Sequence, residues 1–310
     1  MIQFTVVIAV YNKQKYLAET LASVLAQSYK QFEVVIVNDG SIDGSDAIIT
    51  SFLDDERIHY YYQENQGVSA ARNSGILKAN HPYIAFLDAD DLWETDYLET
   101  QAKLISSYPE EGCFATAQYM LEKGKKHLKN YSFDLSKGAT ALLNFFEASR
   151  QHPLIHSSAV VIKKELFDQI GMFNEGILTG EDTDLWIRIA TKYQVAFCNH
   201  PCSVYRIVTG GLFTSSTDVN QLLDLEAYKD LEVNRSDVKR YLDLNRYAQA
   251  IQAKLWGQKR EARTITERIN LENLNGKQRW LLKLPKGILT AMFKLKSALN
   301  GIGIRTSSYS

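Results

Sequence analysis

Three short runs of apolar, β-favouring residues, Phe4-Thr5-Val6-Val7-Ile8-Ala9-Val10, Phe32-Glu33-Val34-Val35-Ile36-Val37 and Tyr83-Ile84-Ala85-Phe86-Leu87, each give way abruptly to polar residues. Strands that are apolar on both faces are covered on both sides, and strands separated by helices pair in parallel. Helical patterns do separate these runs. Leu17, Leu21, Val24 and Leu25 fall at i, i+4, i+7 and i+8 and form one stripe. A second helix is predicted to open near Asp43, and a third to run from about Val68 to Ala79, after the strand-like Ile58-His59-Tyr60-Tyr61-Tyr62. The expectation is an α/β fold, a doubly wound, mostly parallel sheet with flanking helices. In such sheets ligands bind beyond the carboxyl ends of the strands.

From about 106 to 210 the regularity fades, with a helix expected near 138–149, a strand near Ser158-Ala159-Val160-Val161-Ile162 and a helix opening at Glu181. After about Ser215 the pattern is helical and more charged. The expected domains are therefore 1–214, with halves at about 1–105 and 106–214, and a helical C-terminal extension over 215–310. With 310 residues and 45% apolar composition, the chain can bury one large core plus an appendage. Cys113, Cys198 and Cys202 form no CxxC pair, which argues against a disulfide framework or a zinc site and for a reducing compartment. The start, Met1-Ile2-Gln3-Phe4, runs straight into a strand without the three zones of an export signal, so a cytoplasmic location is expected. No charge-free apolar stretch reaches the roughly 18 residues of a membrane span.

The chemistry-bearing residues gather at strand ends. Asp88-Ala89-Asp90-Asp91 releases three carboxylates after a buried strand, and Asp88 and Asp90 form a candidate clamp for a hard divalent cation, Mn²⁺ or Mg²⁺. Alone, such a triplet reads equally well as an acidic turn before a helix beginning near Thr95. Asn38-Asp39-Gly40-Ser41 ends the second run, where Asp39 is placed to accept hydrogen bonds from a base or ribose; Asp43 and Ser45 read as helix caps. Val10-Tyr11-Asn12-Lys13 brings an aromatic ring to the first strand end. Arg72 shares a helical face with Val68 and so points at the sheet, where it needs an anionic partner such as Asp88 or a bound diphosphate. The small residues around it permit close helix-on-sheet packing. Glu181-Asp182-Thr183-Asp184 crowds three acids at a helix start, more than the helix dipole calls for, and offers a general base. Trp186 reads as core rather than as a sugar-stacking ring.

The ordered set Val7-Ile8-Ala9-Val10-Tyr11-Asn12, Asn38-Asp39-Gly40-Ser41, Asn65-Gln66-Gly67 through Gly75, Asp88-Ala89-Asp90-Asp91 and Glu181-Asp182 resembles the family 2 glycosyltransferases of GT-A fold, over about residues 3–210. The resemblance implies an inverting transfer of a sugar from a nucleotide-sugar, UDP-sugar favoured, to a hydroxyl of a glycan or lipid-linked saccharide. It implies that Ala9, Tyr11, Asn12, Asp39, Arg72, Asp88 and Ala89 contact the nucleotide-sugar. It further implies that Asp88 and Asp90 hold the metal, and that Asp182 is the base with Glu181 as fallback. Many relatives carry Tyr-Arg-x-His after the acidic helix; here Tyr205-Arg206-Ile207-Val208 puts valine at the histidine position, and the expectation is either that Arg206 with Gly210 and Gly211 contacts the diphosphate instead or that this loop is a mobile lid.

Lys277 to Arg305 holds seven Lys or Arg and no acid. Its stripe of Ile288, Leu289, Met292, Leu295 and Leu299 suits either an anionic membrane surface or packing on the chain itself or a second copy. Pro285 and Gly287 should break it into two segments. The competing functional readings are a catalytically silent nucleotide-sugar-binding subunit and a sugar nucleotidyltransferase, whose glycine-rich loop after the first strand is absent here. A nucleic-acid partner does not fit, because the cations lie in an apolar-patterned tail.

Overall fold

The computed structural model describes residues 1–207 and 218–301, with side chains up to Leu295. Val208, Gly210, Gly211, Leu299 and Arg305, which the sequence reading invoked, lie outside the described residues or side chains. The chain divides into two compact units, 1–148 with 152–209, and 149–151 with 210–310.

In the first unit, β1 (Phe4–Val10), β2 (Phe32–Asp39), β3 (Ile58–Gln63) and β4 (Tyr83–Phe86) are parallel neighbours in the order β3-β2-β1-β4. Every residue of β2 is buried, as a strand covered on both faces requires. The helices α1 (Leu17–Leu25), α2 (Ser45–Thr50) and α3 (Val68–Lys78) connect these strands. Leu17, Leu21 and Val24 of α1 join the main core with Phe4, Val6, Ile8 and Val34. Gly75 lets α3 sit directly on β1, because a Cβ there would lie 2.3 Å from Val7 Cγ1.

The sheet continues past β4 through β9 (Val160–Lys163), β6 (Cys113–Glu122), β10 (Val195–Arg206) and β5 (Leu92–Trp93). β9 is antiparallel to both β4 and β6, whereas β6 and β10 are parallel. β7 (Lys125–Leu128) and β8 (Thr140–Leu143) pair antiparallel with β6 and β10. α4 (Tyr97–Ser107), α5 (Phe145–Ala148), α6 (Leu166–Ile170) and α7 (Glu181–Ala190) complete the unit. This is the expected α/β class, a central sheet with flanking helices. Trp186 is buried and belongs to the core. The three cysteines are free and buried.

Two local expectations are corrected. The helix foreseen at 138–149 is the strand β8 followed by a single turn, because Ala141 and Leu142 pair with Phe197 and Ala196, and Asn144 Oδ1 then accepts from the Phe146 and Glu147 amides. The strand foreseen from Ser158 begins at Val160, because residues 157–159 form a 3₁₀ turn whose side chains serve the site described below.

The second unit contains α8 (Ser236–Trp256), α9 (Lys259–Glu267), α10 (Gly276–Lys283) and α11 (Lys286–Gly301). Its core gathers Tyr247, Ile251, Ile269, Leu281, Leu282 and Leu289. Arg246, buried in α8, donates to Glu232 at 2.7 Å and to Asp243 at 3.2 Å, so its charge is paired. Asn275 opens α10 with a capping box to Gln278. Pro285 separates α10 from α11, as foreseen; Gly287 does not, being the second residue of α11. Among the described residues no helix is long and apolar enough to cross a membrane.

Candidate active site

β1, β2 and β4 are adjacent and parallel, so the loops at their carboxyl ends converge. Asn12 and Gly40 shape the first two. Asn12 adopts φ +52°, its amide donates to Ser41 Oγ, and its Oδ1 accepts from the Ile42 amide, tying the two loops together. Gly40 has φ +71°, and a Cβ there would come within 2.8 Å of the Asn65 amide nitrogen; only glycine fits. Asp39 is buried and accepts from Gln63 Nε2 and the Gln66 and Gly67 amides at 2.8–2.9 Å. Its carboxylate thus braces the approach to α3. Tyr11 is 45% exposed, free to meet a ligand, while Ala9 is half-buried.

The acidic loop after β4 is held from three sides. Thr20 Oγ1 of α1 donates to the carbonyls of Ala89 and Asp91 at 3.1 and 2.8 Å, and the Ala89 side chain is buried. Lys13 donates to Asp90 Oδ2. Asp91 is fully buried; Ser158 Oγ donates to its Oδ2 at 2.6 Å and the Arg206 amide to its Oδ1 at 2.8 Å. Burial, together with the Asp88 and Asp90 charges beside it, pushes the Asp91 carboxyl well above its ordinary range.

Arg72 faces inward as expected and is nearly buried. Nη2 donates to Asp88 Oδ1 at 2.8 Å, Nη1 donates to Glu181 Oε1 at 3.0 Å, and the guanidinium lies 5.1 Å from the centre of the Phe173 ring. Burial alone would favour the neutral Asp88 acid, yet Arg72 holds its pKa below the usual carboxylate value. Glu181 moves the other way, raised by burial and by the charge of Asp182. Asp182 itself is half-buried, and its Oδ1 accepts from the Thr183 amide at 2.6 Å; Oδ2 makes no hydrogen bond among the described residues.

Arg206 enters mainly through its amide. Its side chain pairs with Glu19 at 2.7 Å and lies 4.8 Å from the centre of the Tyr16 ring. His156 and Ser158 join the site without any signal in the sequence, because a lone histidine before two serines resembles any loop. A ring nitrogen of His156 and carboxylate oxygens of Asp88 and Asp91 all lie within 4.8 Å of one another. His156 Nδ1 accepts from the Ser158 amide at 3.2 Å, which puts the proton of the neutral ring on Nε2. Burial lowers its pKa to about 4, so the ring is neutral at neutral pH.

This donor set suits a hard divalent cation. Two carboxylates converge, one of them buried against like charges that a cation would relieve, and magnesium or manganese needs only one or two. With Nδ1 engaged by the Ser158 amide and the proton on Nε2, His156 leaves the carboxylates as the free ligand atoms of the set.

A mostly parallel sheet with an acidic cluster at its carboxyl ends, continued through β9, β6 and β10, is the GT-A glycosyltransferase fold. The crystal structure of Staphylococcus aureus TarS shares it at TM-score 0.60 and 17% identity, covering 88% of this chain and 54% of that one. A structure of TarS residues 1–349 in complex with UDP-GlcNAc gives TM-score 0.59 at 15% identity, over 91% of this chain and 78% of that one. The Glycosyl transferase family 2 profile matches residues 5–171, and the chain belongs to that family. A Rickettsia typhi glycosyltransferase is 31% identical over 72% of this chain and 69% of its own length. TuaG of Bacillus subtilis, named for teichuronic acid biosynthesis, is 33% identical over 65% of this chain and 78% of its own. Against a Rickettsia conorii relative, 35% identical, the chain spans only a third of that protein's length.

Proposed function

We propose that this chain is an inverting, metal-dependent glycosyltransferase that moves a sugar from a UDP-sugar to a hydroxyl of a glycan or lipid-linked saccharide at the cytoplasmic face of a membrane. The observation that carries the reading is the Arg72 bridge, in which one buried guanidinium holds both Asp88 and Glu181 and so couples the acidic loop to the start of α7.

Residues 1–105 form the nucleotide half, with Tyr11, Asn12, Asp39 and Arg72 toward the nucleotide; residues 106–214 form the acceptor half. Asp88 and Asp91 would hold the cation, in place of the expected pair Asp88 and Asp90, since Asp90 is engaged by Lys13. When bound, the cation neutralises charge developing on the departing diphosphate. Asp182 is the general base. Its Oδ2 is unengaged, whereas Glu181 is committed to Arg72 and to the Gly180 amide. A base on the face opposite the leaving group takes the acceptor hydroxyl proton as the new bond forms, inverting the anomeric centre. TarS, whose structures include UDP and UDP-GlcNAc complexes, supports the choice of UDP, and TuaG supports a surface polysaccharide as acceptor. The basic C-terminal helices attach the protein to the membrane surface.

The test is hydrolysis of a panel of nucleotide-sugars with manganese or with chelator, for wild type, Asp182→Asn and Glu181→Gln. One donor turned over only with metal, and lost in Asp182→Asn, is the expected result. Loss in Glu181→Gln alone would move the base, and neither turnover nor UDP binding would sink the reading.

A further inference from the structure

A cleft of about 460 Å³ opens in the second unit between α9 and the junction of α10 with α11. Its apolar lining comes from Ala262, Leu282, Leu284 and Pro285. Around this lining stand five cations, Lys254, Lys259, Arg263, Lys283 and Lys286, against one acid, Glu267. Two of the five are already used. Lys254 donates to the Leu282 and Leu284 carbonyls, and Arg263 pairs with Glu267 at 2.8 Å. Lys259, Lys283 and Lys286 are exposed and make no side-chain hydrogen bond or ion pair among the described residues.

The two helices that meet at the cleft also carry exposed aromatic rings. Trp280 precedes Lys283 by three positions and is 50% exposed; Phe293 follows Lys286 by seven and is 40% exposed. Those spacings put each ring on the same helix face as its lysine. The stripe of α11 is likewise divided, because Leu289 and Met292 pack into the unit's core while Ile288 and Leu295 face solvent. A free phosphate would use the cations and leave the rings and the apolar floor wet. A lipid headgroup uses all three, since its phosphate meets the ammonium groups while the rings enter the interface.

We infer that this cleft is a binding site for the phosphate headgroup of an anionic membrane lipid. The inference rests on the membrane attachment proposed above and names the residues that carry it.

The experiment is flotation of the full chain with vesicles of phosphatidylcholine alone or mixed with phosphatidylglycerol. Wild type is compared with Lys283→Gln/Lys286→Gln, with Lys283→Arg/Lys286→Arg, and with Lys123→Gln/Lys125→Gln, which removes equal charge from the exposed tip of the β6–β7 hairpin. Each lysine near an anionic surface contributes about fivefold, so the cleft glutamine pair should weaken binding by about twentyfold or more. The arginine pair and the hairpin pair should bind like wild type, and circular dichroism checks that all are folded. Equal loss in the two glutamine pairs, or no loss in the cleft pair, overturns the cleft while leaving membrane attachment standing. Failure of wild type to bind the mixed vesicles overturns both, and leaves the glycosyltransferase reading to its own assay.

Discussion

Nη2 of Arg72 lies 2.8 Å from Oδ1 of Asp88, and this one bond joins the middle of α3 to the acidic loop after β4. The opposite amino group reaches Glu181, more than a hundred residues away in the chain, so two anions from distant segments lean on one nearly buried cation. A planar fork serves two carboxylates at once, which an ammonium on a flexible stem does poorly.

Removing that cation leaves Asp88 and Glu181 facing each other without compensation. Breaking a buried pair from one side costs about 3–5 kcal/mol. Arg72→Ala should therefore lower the thermal midpoint substantially, and Arg72→Lys should fall between it and wild type. An unchanged melting curve for Arg72→Ala would refute this account of the bridge.

Asp91 is buried beside Asp88 and Asp90, and that crowding is what a cation relieves. Asp91→Asn should consequently raise the melting temperature of the metal-free protein. It should also abolish most of the upward shift that manganese gives the wild type, since only a ligand bound by the folded state produces such a shift. Calorimetric scans with manganese and with chelator check both halves. A manganese shift of full size in Asp91→Asn would remove Asp91 from the site.

Acid stability can be traced to Glu33 on β2. Burial opposes its charge, but the Asn80 side chain and amide and the Thr5 hydroxyl donate to it and bring its pKa below the ordinary value. A carboxyl depressed in the folded state stabilises above its unfolded pKa, and that contribution is lost as pH falls through the folded value. Wild type should lose stability on descending through and below pH of about 4. Glu33→Gln should start less stable at neutral pH and show a flatter profile in urea titrations across that range.

The sheet was legible because its central strands are continuous apolar runs. β1 begins and ends where the sequence reading put it, and α1 follows from the spacing of Leu17, Leu21 and Val24. The acidic loop and the inward turn of Arg72 were legible for the same reason, since strand ends and helix faces follow from local periodicity. β8 was not, because Thr140-Ala141-Leu142-Leu143 is a short apolar run that suits a helix equally well, and only pairing with β10 decides it. His156, Ser158 and Glu19 were also beyond reach. Their roles depend on segments near 20, 88, 156 and 206 meeting in space, and no local pattern encodes that meeting.

Close packing of α3 on β1 makes a sharper demand than helix propensity. Alanine is the better helix former by about 1 kcal/mol, so an exposed Gly75→Ala would stabilise. Here the added methyl would lie 2.3 Å from Val7 Cγ1, and the helix carrying Arg72 would have to lift. Overpacking of this kind costs about 1–3 kcal/mol. Gly75→Ala should unfold at lower urea concentration than wild type, and Val7→Ala in the same chain should recover part of the loss by opening the space.

His156 separates two roles that a single substitution would confuse. Its Nδ1 accepts from the Ser158 amide, which leaves Nε2–H as the donor the ring can offer. Asparagine can keep the acceptor and lose the distal N–H; glutamine can place an N–H near the position of Nε2 and give up the cap. If the ring serves as a donor to the diphosphate, His156→Asn should melt like wild type yet bind UDP about tenfold or more weakly, the usual worth of a hydrogen bond to a charged group. His156→Gln should melt slightly lower but bind UDP more tightly than His156→Asn. Manganese affinity, followed by electron paramagnetic resonance without nucleotide, should be the same in all three proteins, because the cation rests on the carboxylates. A drop in manganese affinity in both variants would make the imidazole a metal ligand and require the opposite tautomer, with Nδ1 no longer accepting from Ser158.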